Sequence, residues 1–175
     1  MKNILNKAAK IRLVIFDVDG VLTTGSLIYR PNGSESKTFH VHDGVGLRML
    51  LKSGVQVGII TARTSDVVTK RMQDLEIQHV YQGCTDKVIA YENLKEKLNV
   101  LDEHIAYVGD DLPDLPLLRR VGLGITVANA PPIMHEHAAL VTKAGGGQGA
   151  AREVCEMIMR AQGSYDAAIQ TYLDR

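Results

Sequence analysis

The apolar run Leu13–Val14–Ile15–Phe16 ends abruptly in Asp17–Val18–Asp19–Gly20. A run this short and this apolar reads as a strand buried on both faces. Two carboxylates at the rim of an apolar core must be compensated by a cation or by dense hydrogen bonding. The simplest compensation is a divalent metal at the carboxyl end of a central parallel strand, where open α/β sheets place their ligands. Asp and Gly are also ordinary turn residues, so Asp-x-Asp-Gly needs support from elsewhere in the chain.

The alternation of segments supplies the fold. Leu13–Phe16, Val55–Ile60, His79–Tyr81, Ile105–Val108 and Gly124–Val127 read as strands, and Val45–Lys52, Ser65–Leu75, Lys87–Leu98 and Leu115–Val121 as helices. Such alternation predicts right-handed βαβ crossovers and an α/β, doubly wound, mainly parallel sheet. At 175 residues the chain is expected to form a single domain, residues 1–175, with a core that needs no disulfide. Within it, 24–42 reads as an inserted β-hairpin, Ser26–Arg30 and Lys37–Val41 flanking a turn at Pro31–Asn32–Gly33–Ser34. Alternating Leu27, Tyr29, Phe39 and Val41 give that hairpin an apolar face, and a lone hairpin is marginal in water, so a neighbouring subunit is its expected partner. Residues 145–175 read as a glycine-rich loop, able to cradle an anion on backbone N–H groups, followed by a C-terminal helix and tail.

Charge and cysteine content exclude several classes. Lys plus Arg and Asp plus Glu are 20 each, so no net field attracts nucleic acid or an anionic membrane. Cys84 and Cys155 have no C-x-x-C spacing and read as reduced thiols. Met1–Lys10 has three lysines without an apolar segment after them, and no apolar run exceeds strand length. A soluble cytoplasmic protein is expected.

Further polar residues fall at the other strand ends. Thr61 follows the second strand, Lys87 opens a helix after Gly83–Cys84–Thr85–Asp86, and Gly109–Asp110–Asp111–Leu112–Pro113–Asp114 ends another strand. In a doubly wound sheet these ends converge on one crevice. Carboxylates with a metal suit a phosphoryl group, and a hydroxyl and an ammonium supply donors for its oxygens.

Asp17-x-Asp19-Gly20-Val21-Leu22-Thr23, then Thr61, Lys87 and Gly109-Asp110-Asp111-x-x-Asp114 resemble the four ordered motifs of the haloacid dehalogenase superfamily of phosphatases. The resemblance implies that Asp17 is a nucleophile forming an aspartyl-phosphate. Asp19 would be the acid that protonates the leaving alcohol and later the base for water. It gives Thr61 and Lys87 the phosphoryl oxygens, and gives Mg²⁺ to Asp17, the carbonyl of Asp19 and Asp110. Asp111 and Asp114 would orient metal-bound waters and Lys87.

The gaps from Asp19 to Thr61 and from Thr61 to Lys87 hold too few residues for a cap domain, so water exclusion must come from elsewhere. A capless chain with this hairpin, Phe39-His40-Val41-x-Asp43-Gly44 and Gly146-Gly147-x-Gly149-Ala150-x-Arg152-Glu153 is similar to the 3-deoxy-D-manno-octulosonate 8-phosphate phosphatases of lipopolysaccharide biosynthesis. That resemblance implies a homotetramer in which neighbouring subunits close each other's sites. Arg63 would then bind the substrate carboxylate, as an arginine fork does. Asp43, Gly44, Arg71 and Arg152 are further substrate-side candidates, Arg71 by helical spacing alone. The nine-carbon, sialic-acid-type 9-phosphate phosphatases also resemble the chain but tend to carry Glu at the place of Arg63. His42 departs from the Arg common in the eight-carbon subfamily and would make its contact pH-dependent.

Other readings carry less. His40-x-His42 and His135-x-His137 lack the ligands that would complete a zinc site. Cys84 reads as a small filler, and Pro131–Pro132 as a turn opening a short helix. A phosphoacceptor receiver domain uses Asp, Thr and Lys on a similar sheet, but in a different order and without a counterpart of Asp19. A phosphomutase would need a cap.

Overall fold

The computed structural model describes residues 2–174. In chain order the elements are α1 (Lys2–Ala8), β1 (Leu13–Phe16), β2 (Ile28–Tyr29), β3 (Glu35–Ser36), α2 (Val41–Lys52), β4 (Gln56–Ile60), α3 (Asp66–Asp74) and β5 (His79–Tyr81). There follow α4 (Lys87–Leu98), β6 (Ile105–Gly109), α5 (Leu115–Arg120), β7 (Leu123–Thr126), α6 (Pro132–His137), β8 (Leu140–Val141), α7 (Ala150–Ala161) and α8 (Tyr165–Leu173).

Six strands form one parallel sheet in the order β5-β4-β1-β6-β7-β8. β1 lies between β4 and β6, with Phe16 opposite Ile59 on one side and Val108 on the other. The chain first builds outward from β1 to β4 and β5, then crosses to β6. The carboxyl ends of β1 and β6 therefore flank the place where the order reverses, which is where open sheets form a crevice. Successive side chains of β1 feed opposite layers. Val14 and Phe16 join the core under α2 and α7, while Leu13 and Ile15 join the one containing Tyr91, Leu94 and Tyr107. Both faces are covered, which is why the strand lacks polar alternation.

The hairpin is smaller than its sequence pattern predicts. β2 and β3 pair antiparallel around the Asn32–Gly33 turn, but the returning arm ends soon after Ser36. Val41 is not in a strand; it begins α2, four residues before the expected Val45. Local hydrogen bonding accounts for this, since the His40 ring accepts the backbone N–H of His42 at 3.2 Å and caps the helix. Val41 and His42 end up exposed on the first turn of α2, while Phe39 is partly buried against the core.

The segment after Gly145 is a loop followed by two helices, α7 and α8. α7 buries Ala150, Ala151, Val154, Cys155, Ile158 and Met159 in the larger core, against α2. β8, α1 and α8 carry no clear sequence pattern because each is short or half-exposed. Among the described residues no helix is long and apolar enough to cross a membrane.

On the far layer, Asp102 accepts hydrogen bonds from Tyr91 Oη and Lys95 Nζ, each at 2.7 Å, and from Arg120 Nε at 3.1 Å. Burial works against the charge, but bonds from Lys95, Tyr91 and Arg120 hold its carboxyl down at about 2. A depressed carboxylate stabilises the fold above its unfolded value of 3.8, and that contribution is lost as pH falls through about 2. Asp102→Asn is therefore expected to lower the melting temperature at pH 7. The gap to the parent should narrow below pH 3.8 and close near 2. A gap independent of pH across that range would remove the charge as its cause.

Candidate active site

Each strand end delivers its side chain for a local reason. Asp17 leaves β1 with its backbone N–H still bonded to Val108 O at 2.9 Å, so its direction is set by the sheet. Its Oδ1 accepts the N–H of Val18 at 2.6 Å, which turns the chain sharply. Thr61 follows β4 directly, is buried, and donates its N–H to Tyr81 O at 3.0 Å. Lys87 occupies the first position of α4, whose cap is Asp86 accepting from Val88 N at 2.9 Å. A cation is unfavourable at a helix N-terminus, so a lysine buried there needs strong anionic partners.

It has two. Lys87 Nζ lies 2.8 Å from Asp17 Oδ2 and 2.6 Å from Asp114 Oδ1. Burial favours the neutral amine, yet the charges of Asp17 and Asp114 outweigh it and hold the Lys87 pKa above the ordinary value. Asp114, only 1 % exposed, also receives the Tyr107 hydroxyl on Oδ1, and on Oδ2 the N–H groups of Asp110 at 3.0 Å and Asp111 at 3.3 Å. Asp111 caps the short 3₁₀ turn from Leu112 to Asp114, which fixes the loop after β6. Asp114 is thus a fully used acceptor that anchors Lys87 and this loop.

Asp17, Asp110 and Asp114 each offer an oxygen within 4.8 Å of the others. Burial, then the charge of Asp114, pushes Asp17 up to about 6; burial, then Asp17 and Asp114, pushes Asp110 up to about 7. Lys87 alone does not offset three clustered carboxylates. An all-oxygen donor set that is short of positive charge fits a hard divalent cation such as Mg²⁺. Asp114 is already committed to Lys87 and Tyr107, so Asp17 and Asp110 are the carboxylates of this group that could hold one. Cys84 is raised by burial and stays a thiol, in keeping with its reading as a filler.

Asp19 faces the hairpin. Its Oδ1 meets Lys37 Nζ at 2.5 Å, and its Oδ2 lies 3.8 Å from Arg63 Nε. Arg63 in turn bonds Glu35 Oε2 at 2.7 Å and Tyr29 Oη at 3.3 Å. None of Lys37, Glu35, Tyr29 and Tyr107 stands out as a site residue in the sequence. Glu35 and Lys37, opposite charges two apart on one hairpin arm, were the available signal; Tyr107 offered only a hydroxyl on an otherwise apolar strand.

Asp43, Gly44, Arg71 and Arg152 go elsewhere. Asp43, expected at the substrate, is buried and accepts the N–H of Arg152 at 2.8 Å, so it ties α2 to the start of α7. Gly44 is buried too, and a Cβ there would meet Arg71 Nη2. Arg71 lies over the Phe39 ring, 5.8 Å from its centre, and Arg152 pairs with Glu156. None of their hydrogen bonds or ion pairs among the described residues reaches Asp17, Asp19, Thr61, Lys87 or Asp110. The glycine-rich loop does approach the site. Gly147 donates to Val21 O at 2.9 Å, Gly146 donates to Asn129 Oδ1 at 2.8 Å, and a Cβ on Gly146 would collide with Gly20 O.

A model of the haloacid dehalogenase-like hydrolases matches residues 77–153. The chain is 47% identical over 166 residues to 3-deoxy-D-manno-octulosonate 8-phosphate phosphatase KdsC of Escherichia coli (strain K12), covering 95% of this chain and 88% of that protein. The chain belongs to this family of haloacid dehalogenase-like hydrolases. Its fold matches a subfamily III A hydrolase of Legionella pneumophila at a TM-score of 0.96 with 48% identity, covering 100% of this chain and 96% of the other. It also matches the 3-deoxy-D-manno-octulosonate 8-phosphate phosphatase of Moraxella catarrhalis at 0.96 with 45% identity, covering 98% and 99%. That structure is a complex with a magnesium ion, a phosphate ion and a KDO molecule.

Proposed function

We propose that this protein is a Mg²⁺-dependent phosphomonoesterase that hydrolyses 3-deoxy-D-manno-octulosonate 8-phosphate to the free sugar acid and phosphate, in lipopolysaccharide biosynthesis. The observation that carries the chemistry is Asp17 Oδ2 held 2.8 Å from Lys87 Nζ beside Asp110. The substrate follows from the relatives just described.

In this reading Asp17 Oδ2 attacks phosphorus and Asp19 gives its proton to the departing alcohol oxygen. The product is an aspartyl-phosphate on Asp17 and the free sugar acid. Asp19, now a carboxylate, takes a proton from water as that water attacks phosphorus, and phosphate leaves. Lys87 and Thr61 hold the phosphoryl oxygens, while Asp114 keeps Lys87 aimed. Asp17, the carbonyl of Asp19 and Asp110 would hold Mg²⁺, which when bound neutralises charge shared between carboxylates and phosphoryl group. Asp111 fixes the loop that carries Asp110.

We give the substrate carboxylate to Arg63, because it is partly exposed and bonds the Glu35 carboxylate through Nη2 alone. For Asp43, Gly44, Arg71 and Arg152 we propose a structural role in seating α2 against α3 and α7. A homotetramer in the cytoplasm belongs to the same reading. It is supported by Leu27, Ile28 and Tyr29, exposed together on the hairpin beside the crevice.

Phosphate release should be measured with Mg²⁺, and after its removal by a chelator. The substrates are 3-deoxy-D-manno-octulosonate 8-phosphate, a sialic-acid-type 9-phosphate and hexose phosphates. Preference for the eight-carbon acid by at least about tenfold in kcat/KM, lost without metal, is the expected result. Preference for the nine-carbon acid, or equal rates throughout, would keep the chemistry and discard the substrate.

A further inference from the structure

Lys37 stands outside every motif, yet its side chain is only 2 % exposed on a hairpin whose neighbouring Ser34 and Thr38 are exposed. Lysines are almost never buried to this degree without a paired anion. This one reaches away from the hairpin to Asp19 Oδ1 at 2.5 Å and keeps Glu35 Oε1 at 3.4 Å. Glu35 Oε2 bonds Arg63, and Arg63 Nε closes the circuit 3.8 Å from Asp19 Oδ2. Four side chains of alternating sign thus form a ring that spans the hairpin, the turn after β1 and the loop after β4.

Within that ring the bond from Lys37 is singular. Asp19 Oδ2 is buried without a hydrogen-bond partner, and among the described residues Lys37 donates the one hydrogen bond to the Asp19 carboxylate. Asp17 differs, since Val18 N and Lys87 both fix its oxygens. Asp114 differs too, with four donors. Removing Lys37 leaves Asp19 to rotate about χ1 and χ2, held only by a distant Arg63. A general acid must sit within hydrogen-bond reach of the leaving oxygen, and small displacements there cost large factors in rate.

We infer that Lys37 is a positioning residue for Asp19 and that Glu35 holds Lys37 in place, so the hairpin sets the geometry of proton transfer. This rests on the phosphatase reading. It assigns the hairpin a chemical task inside its own subunit, separate from any contact with a neighbour.

Leaving-group dependence separates this role from general disturbance. Departure of an alkoxide needs a proton from Asp19; departure of 4-nitrophenolate does not, because that anion is stable. kcat/KM reports only steps up to transfer onto Asp17, so the later use of Asp19 as a base does not enter it. Lys37→Met should be compared with the parent on 2-hydroxyethyl phosphate and 4-nitrophenyl phosphate, two esters without a carboxylate for Arg63. The expected result is a fall of about tenfold or more on the alkyl ester and less than about threefold on the aryl ester. Lys37→Arg, which keeps a cationic donor, should recover most of the alkyl activity. Equal falls on both esters, or no fall on either, would overturn the inference. Should Lys37→Met not fold, Glu35→Gln reads the same selective loss through the residue that steadies Lys37. A failure of the phosphatase reading shows separately, as absence of turnover on both esters in the parent.

Discussion

Asp17→Asn is expected to abolish turnover, by on the order of 10⁴-fold or more, while the protein stays folded. The substitution keeps the size and one oxygen of the side chain, so Val18 N can still donate to it. What it removes, on the proposed function, is the nucleophilic carboxylate, and no other oxygen of the cluster can take over. Asp114 is spent on Lys87, Tyr107 and two backbone N–H groups. Asp110 leaves a different strand, β6, and its carboxylate is seated against Gly20, where a Cβ would collide with it. Stability should move the other way. Burial and the charge of Asp114 raise Asp17 to about 6, so the folded metal-free protein carries an unfavourable charge at pH 7 and above. The neutral amide relieves that repulsion, and a melting temperature equal to or above the parent's is expected without Mg²⁺. Sites that hold charge against repulsion for the sake of chemistry commonly behave in this way. Turnover within about tenfold of the parent would remove Asp17 as the nucleophile.

Ending the chain before Gly145 is expected to leave no folded protein. In sequence this segment reads as a glycine-rich loop followed by a helix and tail, with no sign of how deeply the helix is packed. In the structure, Val154, Ile158 and Met159 are buried among α2 and the sheet, with Ala150, Ala151 and Cys155 packed around them. Burying three such side chains contributes roughly 5–9 kcal/mol, which is comparable to the total stability of an ordinary domain, about 5–15 kcal/mol. Truncation would also expose the face of α2 and strand Asp43, whose carboxylate needs the N–H of Arg152. Circular dichroism and a thermal melt of the shortened chain should show no cooperative transition. A cooperative melt within a few degrees of the full chain would show that α7 contributes little.

The convergence of the candidate site was legible because it is written locally. A strand of four apolar residues followed by Asp17 and Asp19, a lysine at the start of a helix, and a strand ending in Asp110 each announce themselves within a few positions. Parallel βαβ order then brings strand ends together without further information. Length and alternation likewise determine the layers, and the absence of a cap follows from counting residues between motifs. What sequence could not decide are pairings between distant segments. Asp43 meets Arg152 across 109 positions, and Glu35 meets Arg63 across 28. Asp43, an aspartate next to a glycine, reads as a substrate-side residue until the helix that it holds is seen. Lys37 reads as a solvated hairpin charge until folding buries it against Asp19, 18 positions away. Side-chain identity alone determined which chemistry is possible here. Tertiary packing decided which charges are desolvated together, and in a medium of low dielectric that proximity decides what each of them does.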